Sequence, residues 1–531
     1  MKELVFEEMS LEQKLSFVNI CFLGLPSTPE EEEYVYDLIR KRAVGAIWIS
    51  RKNDADQPLR QIRRIREIAD YPILIMGDSE SCGFNVDYNE YRIGNHNAIS
   101  CTGDLKAAYA FGKAVGVVAR KMGYNVICNP LLDTHTTGSN RSFGENKEIV
   151  ATFGAAEARG MHDAGILTVA KHYPSGRNDL GVDTHMVEGF SLETEQDLLN
   201  RGLYPYIELI KEDLLDGIMT GHHKFVNIDN ERPASLSKPV LDILRRQGFD
   251  GFYLTDALCM MGIQAKFGNE APPAMCIEAG NDLSLPFTPD NKTMNEDFVK
   301  CFEKGIVSEE AINTAVKRIL AAQHKALVYE TNRATELTEE EHELASNIDN
   351  NGVFAKLDDG FKASISRDGK YYFAVMSNNV YPTTGVVSVD VDTFGDGWHD
   401  PKEICAKIKD LFPNAEIQIF HQYPNQSQMY KILNNSFGFD EVVFVTYSQP
   451  WAYTGAEHFT HRVVTLLDAM QYTNRVSTLV HLGNPKLVGE LPHFNRRILG
   501  GASKKAADAS LEVLAGEREA KGVLTYSVDF K

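Results

Sequence analysis

The stretch "GFDGFYLTDALCMMG", residues 248 to 262, holds a short apolar run bounded by glycine and closed by an aspartate. Aromatic and aliphatic residues packed this densely suit a strand buried on both faces. Asp256, with apolar neighbours on either side, is a carboxylate that must be paired or at work. The run has counterparts across the first half of the chain: "NICFLG" (19–24), "GAIWIS" (45–50), "PILIMGD" (72–78), "NVICNP" (125–130), "ILTVAKH" (166–172), "GIMTGH" (217–222) and "DLSLPF" (282–287). Segments of helical period lie between them, such as "LKAAYAFGKAVGVVARKMG" (105–123) and "KEIVATFGAAEARGMHDAG" (147–165), each closed by glycine. Ser10 and Gln13 have the spacing of a capping box opening a first helix. The alternation predicts an α/β protein with parallel strands, and eight runs match the strand number of a (β/α)8 TIM-type barrel. A doubly wound sheet with an extra lobe has the same alternation.

Past "SEEAINTAVKRILAAQHKAL" (308–327) the chain turns acidic and polar through "ETNRATELTEEEHELASNIDNNG" (330–352), a composition for an exposed helix or linker. A second series follows, with "KYYFAVMS", "EIQIFHQ", "EVVFVTYS" and "VSTLVHLGNP" separated by helical stretches. These runs are too few for a barrel and predict a doubly wound α/β sandwich domain. The expected division is a barrel domain over 1–330, a linker over 331–365 and the sandwich domain over 366–531.

Composition narrows the partners. The 531 residues carry a formal charge of −20, which opposes nucleic acid and anionic membrane and favours a small neutral substrate. The start, "MKELVFEEMSLEQKL", lacks a basic region followed by an apolar one, and no run of apolar residues is long enough to span a bilayer. Eight scattered cysteines without C-x-x-C spacing read as reduced thiols, which points to a cytoplasmic protein.

In a barrel the chemistry gathers at the C-terminal ends of the strands. By that rule Asp78, Lys171 with His172, His222 and Asp256 face one mouth. The loop after the fifth run adds Asp183 and His185, spaced so that the carboxylate orients the imidazole as a general acid/base. The loop after the fourth run supplies Arg141. No metal is expected, since the histidines lack ligand spacing, and no cofactor is expected either: "GSNRSFG" is not a phosphate loop. A serine elbow is absent as well.

These motifs, "AKHYP" followed by "DTH", with "NRSFGEN", "PILIMGDSE", "IMTGHH", "PASLSKPVLDILRRQGFDGFYLTDALCM" and "AGNDL", resemble glycoside hydrolase family 3, nearest its two-domain β-N-acetylglucosaminidase branch. The resemblance implies a small carbohydrate substrate and a retaining hydrolase removing terminal β-linked N-acetylglucosamine through a covalent glycosyl-enzyme. It makes Asp256 the nucleophile and Asp183 with His185 the acid/base. It assigns Asp78, Arg141, Lys171 and His172 to sugar hydroxyls, with His222 nearby. Lys171 and other donors are then expected to hold Asp256 ionised.

The chain departs from the branch in two places. "SGRN" stands where a Gly-His-Gly turn is usual, and Ser81 and Cys82 replace a glycine pair after Glu80. Arg177, in the altered turn, is open to contact with an acidic substituent. Three rival readings stand beside the hydrolase: a phosphorylase, favoured by a histidine acid/base; a β-glucosidase drawing its acid from Glu457 in "WAYTGAEHF"; and a non-catalytic sugar-binding protein.

Overall fold

A computed structural model describes residues 2–24, 27–49, 56–82, 90–134, 141–331, 333–377, 401–448 and 458–531. The apolar runs of the first half become seven strands: β1 (Cys21–Leu23), β2 (Ala46–Ile49), β3 (Leu74–Gly77), β4 (Val126–Ile127), β5 (Leu167–Tyr173), β6 (Gly217–Thr220) and β7 (Phe252–Thr255). They pair in sequence order, every pair parallel. The eighth run contributes bridges rather than a regular strand. Leu283 pairs with Leu254 of β7 and Ser284 with Asn19 just ahead of β1, so one short segment touches both edges of the sheet. The Ser284 hydroxyl donates to Asn19 Oδ1 at 2.7 Å, and the Ile20 N–H donates to the Ser284 carbonyl at 2.9 Å.

The expected helices form as Leu105–Met122 and Lys147–Asp163, and Ser10 and Gln13 exchange both bonds of the capping box. The two long helices cross where neither carries a side chain. A Cβ on Gly112 would lie 2.0 Å from the Glu157 carbonyl oxygen, and one on Gly160 would lie 2.1 Å from that of Tyr109. Only glycine admits this approach. It carries Glu157 inward, behind the strand ends.

A second sheet contains β8 (Phe354–Leu357), β9 (Tyr371–Ser377), β10 (Glu416–His421), β11 (Glu441–Tyr447), β12 (Val476–Leu482) and β13 (Arg496–Gly500). Its spatial order is β8-β13-β12-β11-β9-β10, with only β8 antiparallel to its neighbour. The order reverses at β9, as in doubly wound sheets. Each sheet has its own apolar core, one running from Met9 to Ile348 and the other from Val353 to Ala515. No helix among the described residues is long and apolar enough to cross a membrane.

The segment 331–365 differs from a plain tether. Its helix Glu339–Ser346 lies on Leu105–Met122, with Lys113 paired to Glu341 at 2.7 Å, and Ala345 and Ile348 enter the first core. Its acidic surface hid a buried edge. Residues 522–527 also return to the first sheet's side: the Val523 N–H donates to the Cys101 carbonyl at 2.7 Å, the Tyr526 hydroxyl to the Ser142 carbonyl at 2.9 Å, and the Ser527 N–H to Glu145 at 3.1 Å. Gly144, at φ 145°, leaves room for the Thr525 carbonyl, which a Cβ would meet at 2.6 Å.

Asp349 sits at the junction of the two cores. Its carboxylate accepts from Ser503, whose Oγ also caps Lys504–Ala515 by accepting from the Ala506 N–H at 3.0 Å. Burial pushes its pKa up to about 6, against the pull of Ser503 and Lys505. The carboxyl is neutral in both folded and unfolded chains at low pH. As pH rises from the unfolded value through about 6, the unfolded chain ionises first and stability is lost, up to about 3 kcal/mol. Asp349→Asn should raise the thermal midpoint markedly at pH 7.5 and little at pH 4.5. An equal shift at both, read by calorimetry, would assign the effect to shape rather than charge.

Candidate active site

Four groups of polar side chains gather at the C-terminal ends of the first sheet. The first joins the loops after β3 and β4 to β5. Lys171, almost fully buried, places Nζ 2.6 Å from Asp78 Oδ1 and 2.8 Å from Glu80 Oε1. Glu80 also takes two donors from Arg141, one of them Nε at 2.9 Å. Two cations and two carboxylates make the group neutral overall. Burial works against charge on Glu80, but Arg141 and Lys171 hold its pKa well below the usual carboxylate range. Burial likewise opposes the charge on Lys171, and Asp78 and Glu80 outweigh it to raise its pKa. Side chains already fixed and ionised present hydroxyl-binding atoms without reorganisation.

The second group is His172 with Asp133. The carboxylate accepts from His172 Nδ1 at 2.9 Å and from its backbone N–H at 3.1 Å. The Nδ1 proton is fixed by this acceptor, which leaves Nε2 as the ring's other functional atom.

The third group surrounds Asp256. Its N–H donates to the Thr220 carbonyl at 2.9 Å, tying the end of β7 to β6, and the Ala257 N–H donates to its Oδ1 at 2.7 Å. Burial pushes its pKa up, but His172, His222, the Ala257 N–H and His185 together prevail and lower it to about 2. The expectation gave this work to Lys171. Lys171 is instead committed to Asp78 and Glu80, and imidazoles take its place. His222 has both nitrogens engaged: the Ala257 carbonyl can only accept, so Nε2 carries the proton at 3.1 Å, while Nδ1 takes the Ser235 hydroxyl at 2.8 Å. Its ring braces the Asp256 turn from both nitrogens; burial lowers its pKa, with Asp256 pulling the other way.

The fourth group is the loop bearing Asp183 and His185. Asp183 Oδ1 accepts from His185 Nδ1 at 2.7 Å and from its backbone N–H at 2.9 Å. The loop is docked against the segment following Asp256. The Met261 N–H donates to the His185 carbonyl at 2.9 Å, and a Cβ on Gly262 would lie 2.7 Å from the Thr184 carbonyl oxygen. Glu188 adds ion pairs to Lys224 at 3.0 Å and Lys266 at 3.4 Å.

The structure thus brings Asp256, His172, His185 and His222 into electrostatic contact and sets the Asp78, Arg141 and Lys171 group beside them through β5. Glu80 and Asp133 were given no role by the sequence. Their clues were position alone: Glu80 lies two residues after Asp78, and Asp133 lies in a loop following β4. A buried support was also missed. Glu157 accepts from Asn129 Nδ2 at 2.8 Å and contacts His96 Nε2 at 3.1 Å, and the His96 N–H holds the Arg141 carbonyl at 3.1 Å.

Arg177 is exposed and lines an open cavity of about 500 Å³ with Asp179, Leu192, Glu193, Asp197, Asn200 and Arg201. Three carboxylates among these walls oppose an acidic substituent there. Glu457 lies outside the described residues. Among the described residues no three His, Cys, Asp or Glu side chains are grouped to hold a metal ion.

Carboxylates and imidazoles are thus gathered at the ends of parallel strands on an α/β fold. Residues 11–322 match the glycosyl hydrolase family 3 N-terminal domain, and the chain belongs to that family. β-Hexosaminidase A of Pseudoalteromonas piscicida is 28% identical over 273 residues, covering 44% of this chain and 45% of that protein. The match thus spans about half that relative's length. A family 3 β-N-acetylglucosaminidase from Paenibacillus sp. str. FPU-7 superposes with a TM-score of 0.80 over 98% of this chain and 100% of its own, at 24% identity. The β-glucoside phosphorylase BglX does so at 0.78, over 98% and 95%, at 18% identity. These two likenesses concern the fold.

Proposed function

We propose that the protein is a retaining glycoside hydrolase that removes terminal β-linked N-acetylglucosamine. The observation that carries the reading is Asp256: a carboxylate kept ionised down to about pH 2 among imidazoles, with an Asp–His loop docked onto its own turn. An Asp256 oxygen attacks the anomeric carbon and forms an ester as the glycosidic bond breaks. His185, entering as the imidazolium with Nδ1–H held by Asp183, gives its Nε2 proton to the leaving oxygen. The neutral ring then takes a proton from water, whose oxygen displaces Asp256. Asp78, Glu80, Arg141 and Lys171 hold hydroxyls of the sugar.

We read the bridged ring of parallel strands as a closed (β/α)8 barrel and the second sheet as a separate sandwich domain, divided near residues 330 and 366. Eight cysteines, none of them joined in a disulfide, support a reducing, cytoplasmic setting.

One observation favours a second reading, the phosphorylase: a histidine repels an incoming phosphate less than a carboxylate acid/base does. A panel of nitrophenyl β-glycosides, run with and without phosphate, decides. The N-acetylglucosaminide should be the preferred substrate, with turnover unaffected by phosphate. Accumulation of a sugar 1-phosphate would replace the hydrolase with the phosphorylase, and preference for the plain glucoside would overturn the sugar assignment.

A further inference from the structure

Exposed large apolar side chains are ordinary when scattered and informative when gathered. The acid/base loop gathers them. Met186 and Val187, the two residues after His185, are 39% and 47% exposed, and Met261, whose N–H holds the His185 carbonyl, is 51% exposed. Leu180 and Leu192 flank the same loop and are exposed as well. The backbone fixes the central pair: Met186 and Val187 both donate to the Asp183 carbonyl, at 3.0 and 3.1 Å. The charged neighbours, in contrast, are engaged within the protein. Asp183 serves His185, Glu188 pairs with Lys224 and Lys266, and Asp179 accepts from the Leu192 N–H at 2.7 Å.

A proton donor must come within hydrogen-bond reach of the leaving oxygen. Whatever is attached to that oxygen therefore lies beside His185, whose neighbours in the chain are the exposed Met186 and Val187 and whose carbonyl is held by the exposed Met261. We propose that the leaving-group side of the site takes an apolar aglycone, alkyl or aryl, in preference to a second sugar. The proposal rests on His185 being the proton donor of the glycosidase reading. Chemistry favours it twice: the apolar rim gains from covering hydrocarbon, and a hydroxyl-rich ring set against it finds few free partners. Two methionines let the rim adapt to aglycones of different shape.

Methyl, butyl and octyl β-N-acetylglucosaminides test this, because their alcohols are nearly equal leaving groups and differences in kcat/KM report contact rather than bond breaking. A fully buried methylene is worth about fourfold, so a half-open rim should give about twofold per methylene and about eightfold from methyl to butyl. Butyl should also exceed the disaccharide of the same sugar. The double variant Met186→Ser/Val187→Ser, and separately Met261→Ser, should flatten the dependence on chain length. A flat series in wild-type enzyme that cleaves nitrophenyl N-acetylglucosaminide overturns this proposal alone, as does a disaccharide preferred over butyl. A slope that persists in both folded variants also overturns it, since the contact then lies elsewhere. Failure to cleave any β-N-acetylglucosaminide overturns the glycosidase reading with it.

Discussion

Asp256→Asn should fold as the wild type does and turn over at least about 10⁴-fold more slowly, because the amide cannot form the glycosyl ester. The substitution is close to isosteric, and the carboxamide oxygen can still accept from the Ala257 N–H that now binds Oδ1 at 2.7 Å. The loss should therefore fall on kcat and leave the far-UV spectrum unchanged. A wild-type enzyme trapped with an activated fluoro-sugar should carry the label on the peptide containing Asp256. The pKa of about 2 adds a pH statement: lowering the pH toward 4 leaves this carboxylate ionised, so the acid limb of kcat/KM belongs to another group. A well-folded Asn variant with near-wild-type turnover would remove Asp256 as the nucleophile.

His185→Ala should separate substrates by leaving group. A nitrophenolate departs without help, whereas an alkoxide needs a proton, and a positioned acid contributes about 10²–10⁴-fold. Glycosylation by an alkyl glycoside or a disaccharide should fall about 10³-fold, while the first step with a nitrophenyl glycoside falls less than about tenfold. The loop should stay docked, since Met261 holds residue 185 through its backbone carbonyl. Loss of the base for the second step should then let the glycosyl-enzyme accumulate, giving a burst of nitrophenolate. Azide, a small nucleophile needing no base, should accelerate the slow phase in this variant only. Asp183→Asn should show a milder form, because the Nδ1–H keeps an acceptor but loses its charge. Equal loss on both substrate types would make His185 structural.

The strand ends carrying Asp78, Lys171, His172 and Asp256 were legible because an ionisable residue closing an apolar run stands out against the strand's period. The Asp183–His185 pair was legible because both partners share one loop. Pairing across loops is not written in spacing. Nothing near Glu80 foretells Arg141 and Lys171 as its partners, and nothing near Asp133 foretells His172. That is also why Lys171 was matched with the wrong carboxylate. The eighth run failed as a strand because its contacts with β7 and with Asn19 are single bridges rather than a ladder.

The return of residues 522–527 to the neighbourhood of Arg141 has a consequence for the order of events during synthesis. A nascent chain emerges from its N-terminus, and domains tend to fold as they appear. The bonds from Tyr526 to Ser142 and from Ser527 to Glu145 cannot form until those residues have left the ribosome, 384 and 382 residues later in the chain. The loop that carries Arg141 thus receives its last ties after translation has passed both sheets. A fragment stopping before the return would keep Arg141 bonded to Glu80 and to the His96 N–H, yet lose the ties that the C-terminal residues make to Ser142 and Glu145 in the same loop.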